Sequence, residues 1–131
     1  MSEQGIAAAI IVDAGMVLMI RRRVAEGELS WAFPAGGIEA GESVEDAAVR
    51  ETAEETGLTV AAIKTLGERV HPATGRAMAY VACELIEGHA HVADADELAE
   101  VRWVAHGELP GLVPRGLFEP VQAYLDSALP R

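Results

Sequence analysis

Two apolar runs open the chain, GIAAAIIV over 5–12 and MVLMIRR over 16–22, each about strand length. Both contain β-branched residues, and they are separated by Asp13, Ala14 and Gly15, a composition that predicts a hairpin of central strands. A polar, glycine-bearing segment, VAEGELS (24–30), leads into WAFPAGG (31–37), where Pro34 and the glycines punctuate a short extended piece before a loop. At Ser43 the period changes. Val44, Ala47, Ala48 and Thr52 recur every three or four residues, which gives a helix one face to bury. Ser43 supplies an N-cap oxygen, Glu45 and Asp46 suit the positive end of the helix dipole, and Gly57 stands where a helix stops. The spacing therefore predicts a helix over 44–56. Strands follow in LTVAAIKTLGERV (58–70), RAMAYVACELIE (76–87) and AEVRWVAH (99–106). A last helix is expected over 116–129, begun near Pro114 and interrupted or restarted at Pro120. Strands flanked by two helices make a layered α/β domain.

Composition narrows the class. The 131 residues are half hydrophobic and 24% charged, the balance of one globular domain over 1–131 rather than of a disordered chain. No internal repeat, low-complexity tract or linker divides it. The formal charge of −11 repels nucleic-acid backbones and anionic lipid, so neither a nucleic-acid polymer nor a membrane is an expected partner. Phosphates could be handled only with cations intervening. Cys83 is the only cysteine, so no intramolecular disulfide forms, and its apolar run MAYVACELI predicts a buried, inert thiol. No apolar run approaches the roughly 20 residues that span a bilayer, and MSEQ lacks the basic segment of a signal peptide, so a cytoplasmic protein is expected.

Against that background the helix is conspicuous. Residues 36–58 hold seven acidic side chains and one arginine. Glu51, Glu54 and Glu55 stand at i, i+3 and i+4, so their carboxylates project from one patch about a turn long. Like charges so placed destabilise a helix by a few tenths of a kcal/mol per pair. Arg50, four residues before Glu54, is positioned to grip it in a bidentate fork, but one arginine does not neutralise three glutamates. Mg²⁺ or Mn²⁺ takes oxygen ligands, commonly one or two carboxylates with waters and substrate phosphates. Gly36, Gly37 and Gly41 allow close backbone approach, and that turn adds carbonyl ligands. An acidic pair on a helix is by itself most often a solvated face.

The full spacing goes further: Gly36, five residues, Glu42, seven residues, Arg50-Glu51, two residues, Glu54-Glu55, one residue, then Gly57 and Leu58. This resembles the signature of the Nudix hydrolases at every fixed position. Thr52 departs from the aliphatic residue usual there, which touches packing more than chemistry. Trp31, Phe33, Pro34, Gly36 and Gly37 before the box, and Glu100 with Trp103 after it, also look like the family, so the resemblance spans nearly the whole chain. It implies an α/β/α sandwich with a mixed central β-sheet. It also implies Mg²⁺-dependent hydrolysis of the pyrophosphate linkage in a nucleoside diphosphate-X, with a house-cleaning, MutT-like nucleoside triphosphate pyrophosphohydrolase first. ADP-ribose or nucleotide-sugar hydrolysis, or a non-catalytic nucleotide-binding domain, are the alternatives.

Carried over residue by residue, Glu51, Glu54, Glu55 and the carbonyl of Gly36 would bind the cation, Mn²⁺ being a substitute. Arg50 would orient the glutamates, and Glu42 would pair locally to hold the loop. The general base would be Glu100, with Glu97 second. Arg22, Arg23, Phe33 and Gly37 would meet the substrate, Arg22 on phosphate and Phe33 near the base. Strand alternation sends Arg22 to the face opposite Arg21 and Arg23, although three arginines at a strand end also simply solvate it, and Trp31 and Phe33 also suit the core. His71-Pro72 lies near where ADP-ribose-cleaving relatives carry a proline. His89 and His91 fit a turn better than a metal site, and no histidine is spaced with Cys83 as in a zinc finger. Homodimers occur widely in the family, and a homodimer is an arrangement the resemblance admits.

Overall fold

The computed structural model describes residues 5–23, 31–72 and 75–130; the polar segment 24–30 expected before the glycine-rich turn lies outside them. The first strand, β1 (Ile6–Asp13), explains why its sequence is apolar at nearly every position: it is buried on both faces. Ala7, Ala9 and Ile11 point to one side, where they meet Ala47, Ala48 and Leu58. Ala8 and Ile10 point to the other, where they meet Val121, Leu125 and Leu129. The mixed sheet thus separates two cores, each covered by helix, and the expected α/β/α sandwich is found.

Further strands are β2 (Met16–Arg22), β3 (Trp31–Ala32), β4 (Ala35–Gly37), β5 (Thr59–Val70), β6 (Ala77–Glu87) and β7 (Leu98–Val104). The path runs β3-β2-β1-β6-β5, with β4 paired to β1 and β7 to β2. The β1–β2 hairpin is real but short: only Val12↔Val17 and Asp13↔Met16 pair. Beyond them β2 turns to β7, and β4 takes up the vacated edge of β1 through Ile6↔Gly37, Ala7↔Gly36 and Ala8↔Ala35. That exchange of partners brings the glycine-rich segment to the middle of the molecule.

The hairpin turn places Ala14 at φ 49° and Gly15 at φ 78°, the pair of left-handed residues that a two-residue turn of this twist requires. Alanine is strained there while asparagine tolerates it. Ala14→Asn is therefore expected to stabilise the fold by about 0.5–1 kcal/mol, read as a raised midpoint in denaturant with an unchanged slope.

Helix α1 (Val44–Thr56) forms where expected. The Ser43 side chain accepts the Asp46 N–H at 3.0 Å, and Gly57, at φ 76°, donates its N–H to the Ala53 carbonyl. Thr52, fully buried in the place usually aliphatic, satisfies its hydroxyl by donating to the Ala48 carbonyl at 2.8 Å. Alanines at the contact (Ala7 and Ala9 on β1, Ala47 and Ala48 on α1) let helix and sheet approach closely. The C-terminal region differs from expectation. A short helix α2 (Leu109–Leu112) follows β7, and α3 spans Glu119–Ala128 with Pro120 in its first turn, where a missing N–H costs nothing, so Pro120 starts the helix instead of interrupting it. Cys83 is buried, and burial lifts its thiol to about 11, the inert state expected. No described helix is long and apolar enough to cross a membrane.

Candidate active site

The carboxyl groups of α1 gather against the edge of β4, at one end of a cleft of about 740 Å³. Glu51, Glu54 and Glu55 line it together with Gly36 and Gly37, and Asp94 and Glu97 join from the loop before β7. Each glutamate is held differently. Glu55 is 4% exposed; its carboxylate accepts the Ala35 N–H at 3.1 Å and pairs with Arg22 at 3.1 Å. Glu51, 14% exposed in its side chain, takes Arg50 Nη1 at 2.8 Å. Glu54 is 55% exposed and meets the same Nη1 at 3.2 Å. Burial, the largest influence on both, raises the pKa of Glu51 and of Glu55, opposed by Arg50 in one case and Arg22 in the other. Desolvated carboxylates of this kind gain most from added positive charge.

Arg50 is the hub, although its fork is not the expected one. Its bidentate partner is Glu42 (2.8 and 2.9 Å), which also accepts the Glu39 N–H, so Glu42 does hold the loop. Arg50 Nη2 also donates to the Gly37 carbonyl at 2.8 Å. Glu42, eight residues before Arg50 and across the glycine turn, meets both Nε and Nη2, whereas Glu54 meets Nη1 alone, and the Glu42 carboxyl is held at about 2 by its hydrogen bond from Arg50.

Among the described residues no three acidic, imidazole or thiol side chains converge on one point as a finished metal cage. The donor set nevertheless suits a hard divalent ion, being all oxygen. The backbone supplies the space: a Cβ on Gly36 would lie 2.1–2.4 Å from all three atoms of the Glu51 carboxyl group, so that group rests in the hollow glycine leaves. Gly36→Ala is expected to push the flexible Glu51 side chain aside with little loss of stability, while turnover falls on the order of 100-fold, the effect of an ångström-scale misplacement. Steady-state kinetics with a thermal melt check both halves.

The remaining expected site residues divide. Arg22 reaches the cleft, as do Phe33 (7% exposed and also part of the core) and Gly37. Arg23 does not: its side chain donates to the Ala95 carbonyl at 2.8 Å and its N–H to the Glu97 carbonyl, so it fastens the 94–97 loop. Glu100, expected as the base, is also absent from the cleft wall. It opposes Arg21 across β2–β7 and pairs with it at 3.8 Å, whereas a bulge between Arg21 and Arg22 leaves Arg22 opposite Leu98. Glu97, the second choice, lines the cleft 3.6 Å from Arg22 Nη1. The His91 ring lies over Gly57 and its backbone N–H caps the Thr56 carbonyl, so it belongs to an irregular segment across the end of α1 rather than to the expected turn. The opposite end of the cleft holds what the sequence reading did not single out: Arg69, Arg76, Tyr80 and Phe118, beside His71.

The sequence profile of the NUDIX domain matches residues 3–125. The chain belongs to the Nudix hydrolase family. Among its relatives, a Mycobacterium tuberculosis protein provisionally named mutator protein MutT4 is 37% identical over 110 residues, covering 75% of this chain and 42% of that one. A Bacillus subtilis protein, provisionally named 8-oxo-dGTP diphosphatase, is 32% identical over 110 residues, covering 84% and 71%. The Nudix chain thus spans less than half of the first relative's length. In fold it matches a crystal structure of a NUDIX hydrolase from Nitrosomonas europaea with a TM-score of 0.80, at 23% identity, over 97% of this chain and 72% of that one.

Proposed function

We propose that this Nudix domain hydrolyses the pyrophosphate linkage of small nucleoside diphosphate-X compounds, with nucleoside triphosphates, suggested by the names of its MutT-type relatives, as the leading substrates. The observation that carries the reading is the group of three glutamates at a cleft wall, one of them seated in the hollow of Gly36. Glu51, Glu54, Glu55 and the Gly36 carbonyl would hold Mg²⁺, with Mn²⁺ a substitute. That ion, when bound, screens the phosphates from a chain of charge −11 and polarises their P–O bonds.

Residues of the chain do the rest. Arg50 fixes the rotamers of Glu51 and Glu54, and Arg22 does so for Glu55 while presenting its remaining N–H groups to phosphate. Glu97 is better placed than Glu100 to act as base, since it is 57% exposed on the wall and its contact with Arg22 is long. It takes a proton from water as the water oxygen bonds to phosphorus, and the leaving phosphate departs with the electrons of the broken P–O bond. Phe33 and the apolar floor would receive the nucleoside.

A panel of nucleoside triphosphates and ADP-ribose, incubated with and without Mg²⁺, tests the reading. Mg²⁺-dependent release of pyrophosphate from a triphosphate supports it; cleavage of ADP-ribose alone shifts X to a sugar. Turnover of nothing would leave a nucleotide-binding domain.

A further inference from the structure

The cleft is bipolar. Its five lining carboxylates (Glu51, Glu54, Glu55, Asp94 and Glu97) belong to α1 and the loop against it, while Arg69, His71 and Arg76 line the end formed by β5 and β6. One row of the sheet measures the separation. Gly37 on β4 pairs with Ile6 on β1, Ile6 with Met78 on β6, and Met78 with Arg69 on β5, and all four line the cleft. Three strand spacings of roughly 4.8 Å put the two backbones about 14 Å apart.

Arg69 is set up to receive a ligand at that far end. Its guanidinium lies 4.9 Å from the centroid of the Phe118 ring and 5.7 Å from that of Tyr80, and its Nε donates to the Tyr80 hydroxyl at 3.3 Å. Arg21, Arg22, Arg50 and Arg102 each pair with a carboxylate, whereas among the described residues Arg69 has none. In a chain with 21 acids and 10 lysines and arginines, a cation left without an acid inside a cleft stands out. The guanidinium already covers a face of Phe118 on which a base would stack. With Nε engaged by Tyr80, the two Nη groups have no hydrogen-bond partner among the described residues, and together they match a carboxylate or phosphate in a planar fork.

We infer that the preferred substrate carries a second anionic group, a phosphomonoester on a ribose, remote from the anhydride that is cleaved, and that Arg69 binds it. This rests on the pyrophosphohydrolase reading above and narrows its substrate class to nucleotides phosphorylated at a further position.

Matched pairs test it: NADP⁺ against NAD⁺, and adenosine 3′-phosphate 5′-triphosphate against ATP. Each pair is followed by kcat/KM and, separately, by calorimetric binding, in the wild type, Arg69→Met and Arg69→Lys. The expected result is a preference of roughly tenfold or more for the phosphorylated member of at least one pair, the size of one charge-assisted hydrogen bond. It should be expressed mainly in KM and in binding, collapse toward unity in Arg69→Met, and be partly retained in Arg69→Lys. Equal affinity for both members in the wild type, or an Arg69→Met loss that is the same for both members, overturns the inference. If nothing is turned over, the pyrophosphohydrolase reading fails, and the binding preference alone still decides the role of Arg69.

Discussion

Glu54→Gln is expected to lower turnover on the order of 10²- to 10³-fold while the protein melts within a few degrees of the wild type. Glu54 is the most exposed of the three glutamates, and its only partner among the described residues, Arg50, is 3.2 Å away and already engaged with Glu42 and Glu51. Glutamine keeps the shape, removes a like charge three residues from Glu51 and next to Glu55, and so changes stability by no more than about 0.5 kcal/mol. Activity responds otherwise. Charge stabilisation at a metal-assisted phosphoryl transfer amounts to several kcal/mol, and each 1.4 kcal/mol is about tenfold in rate. Near-normal turnover with a folded Glu54→Gln protein would remove Glu54 from the site.

Arg50→Met, which keeps the stem and deletes the fork, is the second large effect. It strips Glu42 of its bidentate partner, Glu51 and Glu54 of theirs, and the Gly37 carbonyl of a donor at 2.8 Å. Turnover should fall about 10- to 100-fold, as when groups that orient metal ligands are removed, and Arg50→Lys should not restore it because an ammonium does not reproduce the fork. Stability falls too, with a pH signature. Glu42 is depressed in the folded protein from 4.5 to about 2 by its hydrogen bond from Arg50. A depressed carboxyl stabilises the fold above pH 4.5, and that contribution fades as pH falls toward 2. The gap between wild type and Arg50→Met in thermal midpoint should therefore be wide at pH 7 and narrow at pH 2.5. A gap that stays the same at both would contradict the pairing.

These effects concentrate in the part of the molecule that short-range sequence rules describe best. Helix α1 was legible from its Ser43 cap, its acidic first turn and Gly57, all local devices, and the register of three glutamates follows from helical geometry alone. The departures come from long-range pairing. Nothing near residues 5–22 shows that β2 abandons β1 after two pairs or that β4 replaces it, because the replacing strand comes from residues 35–37. The regular β2–β7 register sets Glu100 opposite Arg21, and the bulge after that pair, equally invisible, skips Ala99 and leaves Arg22 opposite Leu98. Helix α2 was missed because Leu-Pro-Gly-Leu reads as a turn, and tertiary packing of Leu109 overrides that propensity. Arg69 looked like any cation near a strand end; only the fold brings Tyr80 and Phe118, 11 and 49 residues away, beneath its guanidinium.

The central proposal is that Glu51, Glu54 and Glu55 hold a divalent cation. Its most direct test is equilibrium binding of Mn²⁺ followed by electron paramagnetic resonance in the wild type and in a Glu51→Gln/Glu54→Gln double variant whose melt confirms its fold. Saturable binding by the wild type that is lost in the double variant is the predicted result. Equal binding by both proteins, or none by either in the presence of a nucleotide, would contradict it.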